Sequence, residues 1–414
     1  MKKIINIKML LSMSLAALMA IQPIGTVISA DAAVIYQPGV NPGVGPGAAK
    51  NNTPNQTSPD AGDYAATDGT AQGSMSIDRT VPAGCLDAFS FEAKDPIVTT
   101  KDKYSYEDME KELNSLKSKY SSTMTMRSLG TTADGRKIYE ATVGNINAGT
   151  HILITGSIHA REYITTMLVM RQLEYLLSAS NNNAAFDKKN VKSWLNDVCV
   201  HFVPMINPDG VAISQFGLAG IKTEALKKTV NEAYANDLAL GRTSLEFEPY
   251  LTMWKANANG VNLNDNFNAL TGSINRKTDK VSGDAYFGVP GSEAETKALQ
   301  NLADSRHFKA VINYHATGSV IYWNYEGNRL VEHCRDLANN IKVLTGYTML
   351  STGEEGGSYK AYLGTRRQPV TAVTVEVGKS RAPVNFSEFP TIWAQNKFVP
   401  LYTMKWAKEK GDQL

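Results

Sequence analysis

Short apolar runs alternate with amphipathic segments along most of the chain, and this alternation most constrains its fold. Four apolar runs have the length of buried strands, at 151–158, 198–206, 309–314 and 371–377. Segments of helical periodicity occur at 165–178, after Ser292 and at 392–408. Strands that alternate with helices predict one α/β domain built on a largely parallel or mixed sheet. Ligands of such sheets bind beyond the carboxyl ends of the strands.

This domain is predicted to span residues 104–410. Ser105 and Asp108 have the spacing of a helix-capping box, and apolar residues recur at helical spacing after them. The preceding residues, 31–103, are predicted to be a low-complexity tether followed by a transitional segment. The first part is rich in Gly, Pro, Ala, Asn, Thr and Asp, a composition that buries too little apolar surface to fold.

Residues 1–30 have the pattern of a secretory signal peptide. Three lysines precede an apolar run at 9–20, and the sequence Ala-Asp-Ala at 30–32 fits a cleavage site. An uncleaved membrane anchor is the alternative interpretation. We therefore expect a secreted protein, extracellular or associated with the cell wall, that has no membrane contact after cleavage of the signal.

Composition excludes several classes of protein. The chain has 42 basic and 40 acidic residues, a net charge of +2 that favours neither nucleic acid nor a membrane surface as a partner. Three cysteines, Cys85, Cys199 and Cys334, are too few for a disulfide framework. Cys199 lies in an apolar run and is predicted to be a small buried residue. Cys334 follows His333, and a helix that carries both is favoured over a metal pair. We expect a monomer.

A histidine and a glutamate three residues apart stand where the run 151–158 gives way to a helix. His159 and Glu162 can converge there, and zinc binds imidazole nitrogen and carboxylate oxygen. Alternatively, Glu162 is an acid favoured by the helix dipole and His159 is a loop residue. His315 follows the run 309–314 in the same topological position and is the candidate third ligand. Two remaining histidines fall in predicted strands and two on predicted helices, and we interpret them as structural or surface residues: His151, His201, His307 and His333.

Glu376 is the candidate general base. It lies in the sequence Val-Thr-Val-Glu-Val-Gly, and a carboxylate in so apolar a strand is costly unless it has a partner or a role. Burial moves the pKa of a carboxyl group toward the range in which a general base works. The alternative is an ion pair with Arg161 or Arg381.

The order of these motifs resembles that of the zinc metallocarboxypeptidases over residues 104–408. The resemblance includes Asn-Pro-Asp-Gly at 207–210 and Gly-Val-Asn-Leu-Asn at 260–264. It implies a three-layer α/β fold, with a mixed, roughly eight-stranded twisted sheet and helices on both faces. It also implies one Zn²⁺ bound by His159, Glu162 and His315. Glu376 would take a proton from the attacking water and pass it to the leaving amine.

One departure from the family pattern bears on the substrate. Asn264 is retained, but Asp265 replaces the arginine that clamps the terminal carboxylate of a substrate, and like charges repel. An acid at this position resembles the bacterial γ-D-glutamyl-diamino acid endopeptidases, whose cell-wall substrates carry an amino group that Asp265 could bind. Residues 376–397 also resemble that subgroup. Alternatively, Asp265 pairs with Arg161 or Arg276.

Three further positions differ from the family. Asn262 replaces the aspartate that orients the first zinc histidine, although an amide can still accept the imidazole N–H. Asn259 replaces an arginine near the oxyanion, and either Arg161 or Lys255 is a candidate to substitute for it in catalysis. The mobile tyrosine of the family has no clear counterpart. Tyr359 and Tyr362 are both candidates. Tyr359, together with Asn259, completes the predicted set of substrate contacts.

The leading hypothesis is a secreted zinc-dependent peptidase that hydrolyses peptidoglycan stem peptides near a γ-D-Glu–diamino acid bond. Its partner would be a cell-wall muropeptide. A conventional metallocarboxypeptidase that releases C-terminal residues from peptides is the first alternative. A non-catalytic, peptide-binding descendant of the fold is the second. The retained Glu376 argues against the second, because a binding module gains nothing from a general base.

Overall fold

The computed structural model describes residues 91, 94–187, 189–269, 278–325, 327–351 and 357–410. Its strands are β1 Met124–Thr131, β2 Lys137–Val143, β3 Thr150–Thr155, β4 Ala185–Phe186, β5 Lys189–Asn190, β6 Val198–Val203, β7 Phe308–His315, β8 Val320–Asn324, β9 Thr348–Ser351 and β10 Thr371–Glu376. Its α-helices are α1 Tyr106–Lys119, α2 Ile164–Asn181, α3 Val191–Asp197, α4 Pro208–Phe216, α5 Glu224–Ala239, α6 Phe247–Thr252, α7 Ala294–Ser305, α8 Val331–Thr345, α9 Tyr359–Thr365, α10 Phe389–Asn396 and α11 Val399–Lys410. The predicted signal peptide, most of the predicted tether, Cys85 and Arg276 lie outside the described residues.

Eight of the strands form one mixed sheet in the order β1-β2-β6-β3-β7-β10-β8-β9. The four central strands, β6, β3, β7 and β10, are parallel. β2, β8 and β9 run antiparallel to them, whereas β1, which pairs antiparallel with β2, runs in their direction. The carboxyl ends of the four central strands therefore share one edge. The predicted α/β fold class is confirmed.

Successive side chains of each strand point to opposite faces of the sheet, and both faces are buried. In β3, Ile152 and Ile154 pack in a core with residues of α1, α2 and α11, whereas Leu153 packs in a second core with residues of α7 and α9. Helices therefore cover each face and make three layers. Among the described helices, none is both long enough and apolar enough to cross a bilayer.

The four predicted strands are confirmed as β3, β6, β7 and β10, with bounds that shift by up to three residues. The capping box is also confirmed, because the Ser105 side chain accepts from the Asp108 N–H and the Asp108 carboxylate accepts from the Ser105 N–H.

Three local predictions are wrong. The segment at 207–210 is not an isolated turn, because Asn207 caps α4 and Pro208 begins it. The closing helix predicted at 392–408 is two helices, α10 and α11. Pro400 lacks an N–H and is tolerated only in the first turn of a helix, so α11 restarts just before it. His307 lies between α7 and β7 rather than on a helix.

Residues before Tyr104 already contact the folded domain. The N–H groups of Ile97 and Val98 donate to the Glu174 carboxylate at 2.6 and 3.0 Å. The Thr99 N–H and hydroxyl both donate to Glu112. The last part of the transitional segment thus lies against α1 and α2, while the limits of the domain stay a prediction.

Candidate metal centre

Three polar side chains converge beyond the carboxyl ends of β3 and β7. His159 follows β3, Glu162 closes a short 3₁₀ helix, Ala160–Glu162, and His315 is the last residue of β7. The His159 Nδ1 lies 2.8 Å from the Glu162 Oε1 and 3.2 Å from the His315 Nδ1. The His315 Nδ1 lies 3.0 Å from the other Glu162 oxygen, Oε2. The three side chains predicted as metal ligands are thus brought together, and all are buried.

A strained turn aims His159 at this point. Ser157 has a φ of 52°, in the left-handed region that non-glycine residues rarely adopt. Its N–H donates to the Thr165 hydroxyl at 2.8 Å, and its own hydroxyl lies 2.7 Å from that of Thr166. These bonds to the first turn of α2 hold the strained residue, so the chain bends sharply after β3.

Asn207 fixes the same turn from the other side. Its Nδ2 donates to the carbonyls of Ile158 and Ala256 at 3.2 and 3.1 Å, while its Oδ1 accepts from the Gly210 N–H at 3.0 Å. A Cβ at position 210 would lie 2.4 Å from the Ala256 carbonyl oxygen, so only glycine fits. This positioning role was not predicted from the sequence, in which the Asn-Pro-Asp-Gly motif indicated only a turn.

Electrostatics favour the metal-binding forms of the first two ligands. Burial, together with the nearby Lys255 and His315, lowers the pKa of His159 to about 4 despite the attraction of Glu162. Burial alone would raise the pKa of Glu162, but His159 and His315 hold it well below its usual range. At neutral pH His159 is therefore neutral and Glu162 ionised, the states in which each binds a cation.

Glu376 lies beside this cluster. It is the last residue of β10, and its Cα pairs with that of His315 in the parallel register of β7 and β10. Adjacent strands are about 4.8 Å apart, and paired residues point to the same face. The Glu376 side chain, 5% exposed, is therefore next to the third ligand at the sheet edge.

A family model described as zinc carboxypeptidase matches residues 109–378. This chain belongs to the zinc carboxypeptidase family. As a member it is a metallopeptidase, and two imidazoles with one carboxylate are a donor set that suits catalytic zinc. The resemblance inferred from the order of motifs is confirmed.

Comparison with individual proteins agrees with this family. The gamma-D-glutamyl-L-diamino acid endopeptidase 1 of Lysinibacillus sphaericus is 29% identical over 303 residues, which cover 72% of each chain. The metallocarboxypeptidase A of Trichophyton tonsurans is 31% identical over 118 residues, 28% of this chain and 27% of that one. The crystal structure of carboxypeptidase A from Helicoverpa armigera has a TM-score of 0.54 at 15% identity, with 79% of this chain and 78% of that one covered. This last likeness is one of fold.

The second nitrogen of His159 is not held as the family pattern predicts. Its Nε2 is buried and has no hydrogen-bond partner among the described residues. Asn262, the expected acceptor, uses its Oδ1 for the Asn264 N–H and donates its Nδ2 to Asp265 at 2.8 Å. The Asn262 amide therefore holds the 3₁₀ helix Leu263–Asp265 instead of orienting the first ligand.

Two cations lie close to the centre and share one carboxylate. The Arg161 Nη1 donates to the Met253 carbonyl at 3.3 Å and lies 4.0 Å from Asp284. The Lys255 Nζ lies 3.6 Å from the same carboxylate. Both remain candidates to stabilise negative charge on a bound substrate, and the catalytic role of Arg161 stays a prediction.

The predicted substrate residues lie on two adjoining segments. Asn264 and Asp265 are half-buried in a 3₁₀ helix, Leu263–Asp265, and the Asn264 Oδ1 accepts from the Tyr359 N–H at 3.2 Å. Tyr359 itself is 1% exposed, with its ring against that of Phe267. The Asn259 amide donates to Glu293 at 2.8 Å. Contact of all four with a substrate stays a prediction, and Tyr359 would have to move to make it.

Proposed function

We propose that this metallopeptidase hydrolyses peptidoglycan stem peptides near the bond between γ-D-glutamate and a diamino acid. The observation that carries the proposal is Asp265, a half-buried acid where a carboxypeptidase requires a cation. Opposite charges attract in a partly dry pocket, so this position favours an amino group over a carboxylate. The name of the Lysinibacillus sphaericus relative supports the same substrate class.

Different residues would perform the separate steps of hydrolysis, which are metal binding, proton transfer and stabilisation of negative charge. His159, Glu162 and His315 would hold zinc, which when bound polarises a carbonyl group and increases the acidity of water. The Glu376 carboxylate takes a proton from the attacking water and delivers it to the leaving nitrogen. Arg161 or Lys255 stabilises the negative charge that develops on the carbonyl oxygen.

The proposed location follows from the first hundred residues. A signal peptide at 1–30 would direct export, and the low-complexity segment after it would let the catalytic domain reach the cell wall. An exported, wall-associated enzyme would meet its muropeptide substrate there.

A digest of two synthetic stem peptides tests the substrate. One carries a free side-chain amino group on the diamino acid, and the other carries the same group acetylated. We expect cleavage of the free-amine peptide, identified by the masses of the products, and at least about tenfold slower cleavage of the acetylated one, because the charge pair is lost. Asp265→Asn should remove this preference, whereas Asp279→Asn, a change at an exposed acid, should leave it intact.

Two results would contradict the proposal. If neither stem peptide is cut while ordinary peptides lose C-terminal residues, the chain is a conventional metallocarboxypeptidase. If the acetylated peptide is cut equally fast, Asp265 does not select an amino group.

A further inference from the structure

A second cluster of metal-binding side chains lies at the opposite end of the sheet. His151, Cys199 and His201 are buried, and one donor atom of each lies within 4.8 Å of the others. His151 is near the amino end of β3, and Cys199 and His201 lie in β6. A six-residue strand is about 20 Å long, so β3 separates this cluster from the catalytic centre.

Strand geometry brings the three together. Cys199 and His201 are two residues apart, so both point to the same face, and His151 pairs with Cys199 across the parallel β3 and β6. The same face carries Phe308, whose ring lies 5.0 Å from that of His201. The donors therefore lie between strands of the rigid sheet, not on a loop.

A carboxylate selects the nitrogen that faces the cluster. The His201 Nδ1 lies 2.6 Å from Glu140, which is fully buried and also pairs with Arg127. The other nitrogen, Nε2, lies 2.8 Å from the His151 Nδ1. A carboxylate behind an imidazole is the usual support of a histidine that ligates a metal. The contact between Glu140 and His201 thus supports a metal site independently of the convergence of the three donor atoms.

We propose that His151, Cys199 and His201 bind a second zinc ion, which joins β3 to β6 and has no part in hydrolysis. Two imidazoles and a thiolate are donors that zinc prefers. The Cys199 proton would leave to solvent as the Zn–S bond forms. His151, 8% exposed, lies at the edge where the ion would enter and where water would complete its coordination.

The distances between the donor atoms and the charges around them are compatible with a bound zinc ion. Tetrahedral zinc holds two imidazole nitrogens about 3.3 Å apart, so the nitrogens at 2.8 Å need to separate by roughly 0.5 Å. The catalytic donors show similar spacings, 2.8 to 3.2 Å. The positive charge of Arg306 acts electrostatically on both His151 and Cys199 and repels a cation bound between them. The negative charges of the Cys199 thiolate and of the Glu140 carboxylate attract that cation.

The competing arrangement is a hydrogen-bonded chain without metal, from Arg127 through Glu140 and His201 to His151. Cobalt(II) distinguishes the two, because a thiolate ligand gives a near-ultraviolet charge-transfer band that nitrogen and oxygen ligands do not. The catalytic centre contains no sulfur donor among the described residues. A sulfur-to-cobalt band would therefore report the second site alone.

The test is a titration of the metal-free protein with cobalt(II), with metal counted by mass spectrometry after zinc loading. We expect two equivalents and a sulfur band in the wild-type protein. Cys199→Ser should lose the band and one equivalent, and His151→Asn should weaken it. The matched control, Cys334→Ser, alters another buried free cysteine and should retain both the band and the second equivalent. His159→Asn should lose one equivalent but keep the band.

Thermal stability provides a second measurement. Added zinc should raise the melting temperature of His159→Asn, in which only the second site remains, but not that of the double variant His159→Asn/Cys199→Ser. Wild-type protein that takes up one equivalent and shows no sulfur band would overturn the proposal, even if Cys199→Ser failed to fold. Neither measurement depends on muropeptide cleavage, so the proposed second metal site and the proposed function can be refuted independently.

Discussion

At the scale of single residues, the proposed catalytic centre combines four side chains from separate parts of the chain at one edge of the sheet. His159, Glu162, His315 and Glu376 each follow or end an apolar run, so their convergence follows from a parallel sheet. The role of Asn207 was not predictable from its motif alone. Its partners lie 49 residues away in each direction along the chain, and only the folded structure brings them together.

Replacement of Glu376 by glutamine separates proton transfer from metal binding. The amide has the same shape but cannot accept a proton at neutral pH, so we expect kcat to fall by about 10²–10⁴-fold. Zinc content should not change, because Glu376 is not among the three ligands. Peptide hydrolysis and metal analysis measure the two effects. Glu332→Gln, at an exposed acid, is the control, and a Glu376→Gln enzyme with undiminished kcat would refute the general-base role.

Asn207→Ala tests the support of the first ligand. Loss of the helix cap costs about 1 kcal/mol, and the two unsatisfied buried carbonyls add roughly 1–3 kcal/mol. Zinc should also dissociate faster, since the His159 turn is less restrained. Asn190→Ala removes the N-cap of α3 without affecting the His159 turn, so it should lower the free energy of unfolding only by the contribution of the cap. Equal losses of stability in urea unfolding, with equal zinc retention, would exclude the positioning role.

At the scale of elements, strand existence was easier to predict than helix boundaries. Asn-Pro-Asp-Gly favours a turn, yet Asn is also a good N-cap and Pro a good first helical residue, and here the helix forms. The apolar periodicity at 392–408 continues across the break before α11, so periodicity alone gave one helix. Such local sequence signals are compatible with two backbone structures, and tertiary packing determines which of them forms.

The α7 residue Glu295 gives the fold a pH dependence. Burial, reinforced by Glu293 and Asp209, raises its pKa from 4.5 to about 8. The folded state therefore keeps a proton that the unfolded chain releases, and stability falls as pH rises from about 4.5 through about 8. Glu295→Gln stays neutral and should remove this part of the slope, and it should be more stable than wild type at the alkaline end.

Urea unfolding across that pH range measures the effect. The exposed Glu224→Gln is the control and should follow the wild-type curve. Identical pH slopes for wild type and Glu295→Gln would show that Glu295 is ionised in the folded protein.

At the scale of the whole molecule, the sequence predicted the class of fold but not the order of the strands. The pattern of runs predicts a parallel or mixed sheet, whereas the order β1-β2-β6-β3-β7-β10-β8-β9 depends on pairings between residues far apart in the chain. The second cluster was missed for the same reason. His151 and Cys199 each looked like ordinary strand residues, and their register across β3 and β6 is not encoded locally.

The central claim is that one zinc ion is held by ligands that β3 and β7 carry to a single edge of the sheet. Anomalous diffraction from crystals of the zinc-loaded protein, measured on both sides of the zinc absorption edge, tests it most directly. The account predicts a peak bonded to the Nδ1 atoms of His159 and His315 and to the Glu162 carboxylate, with the Glu376 side chain facing it. A map without a peak at those three side chains would contradict it.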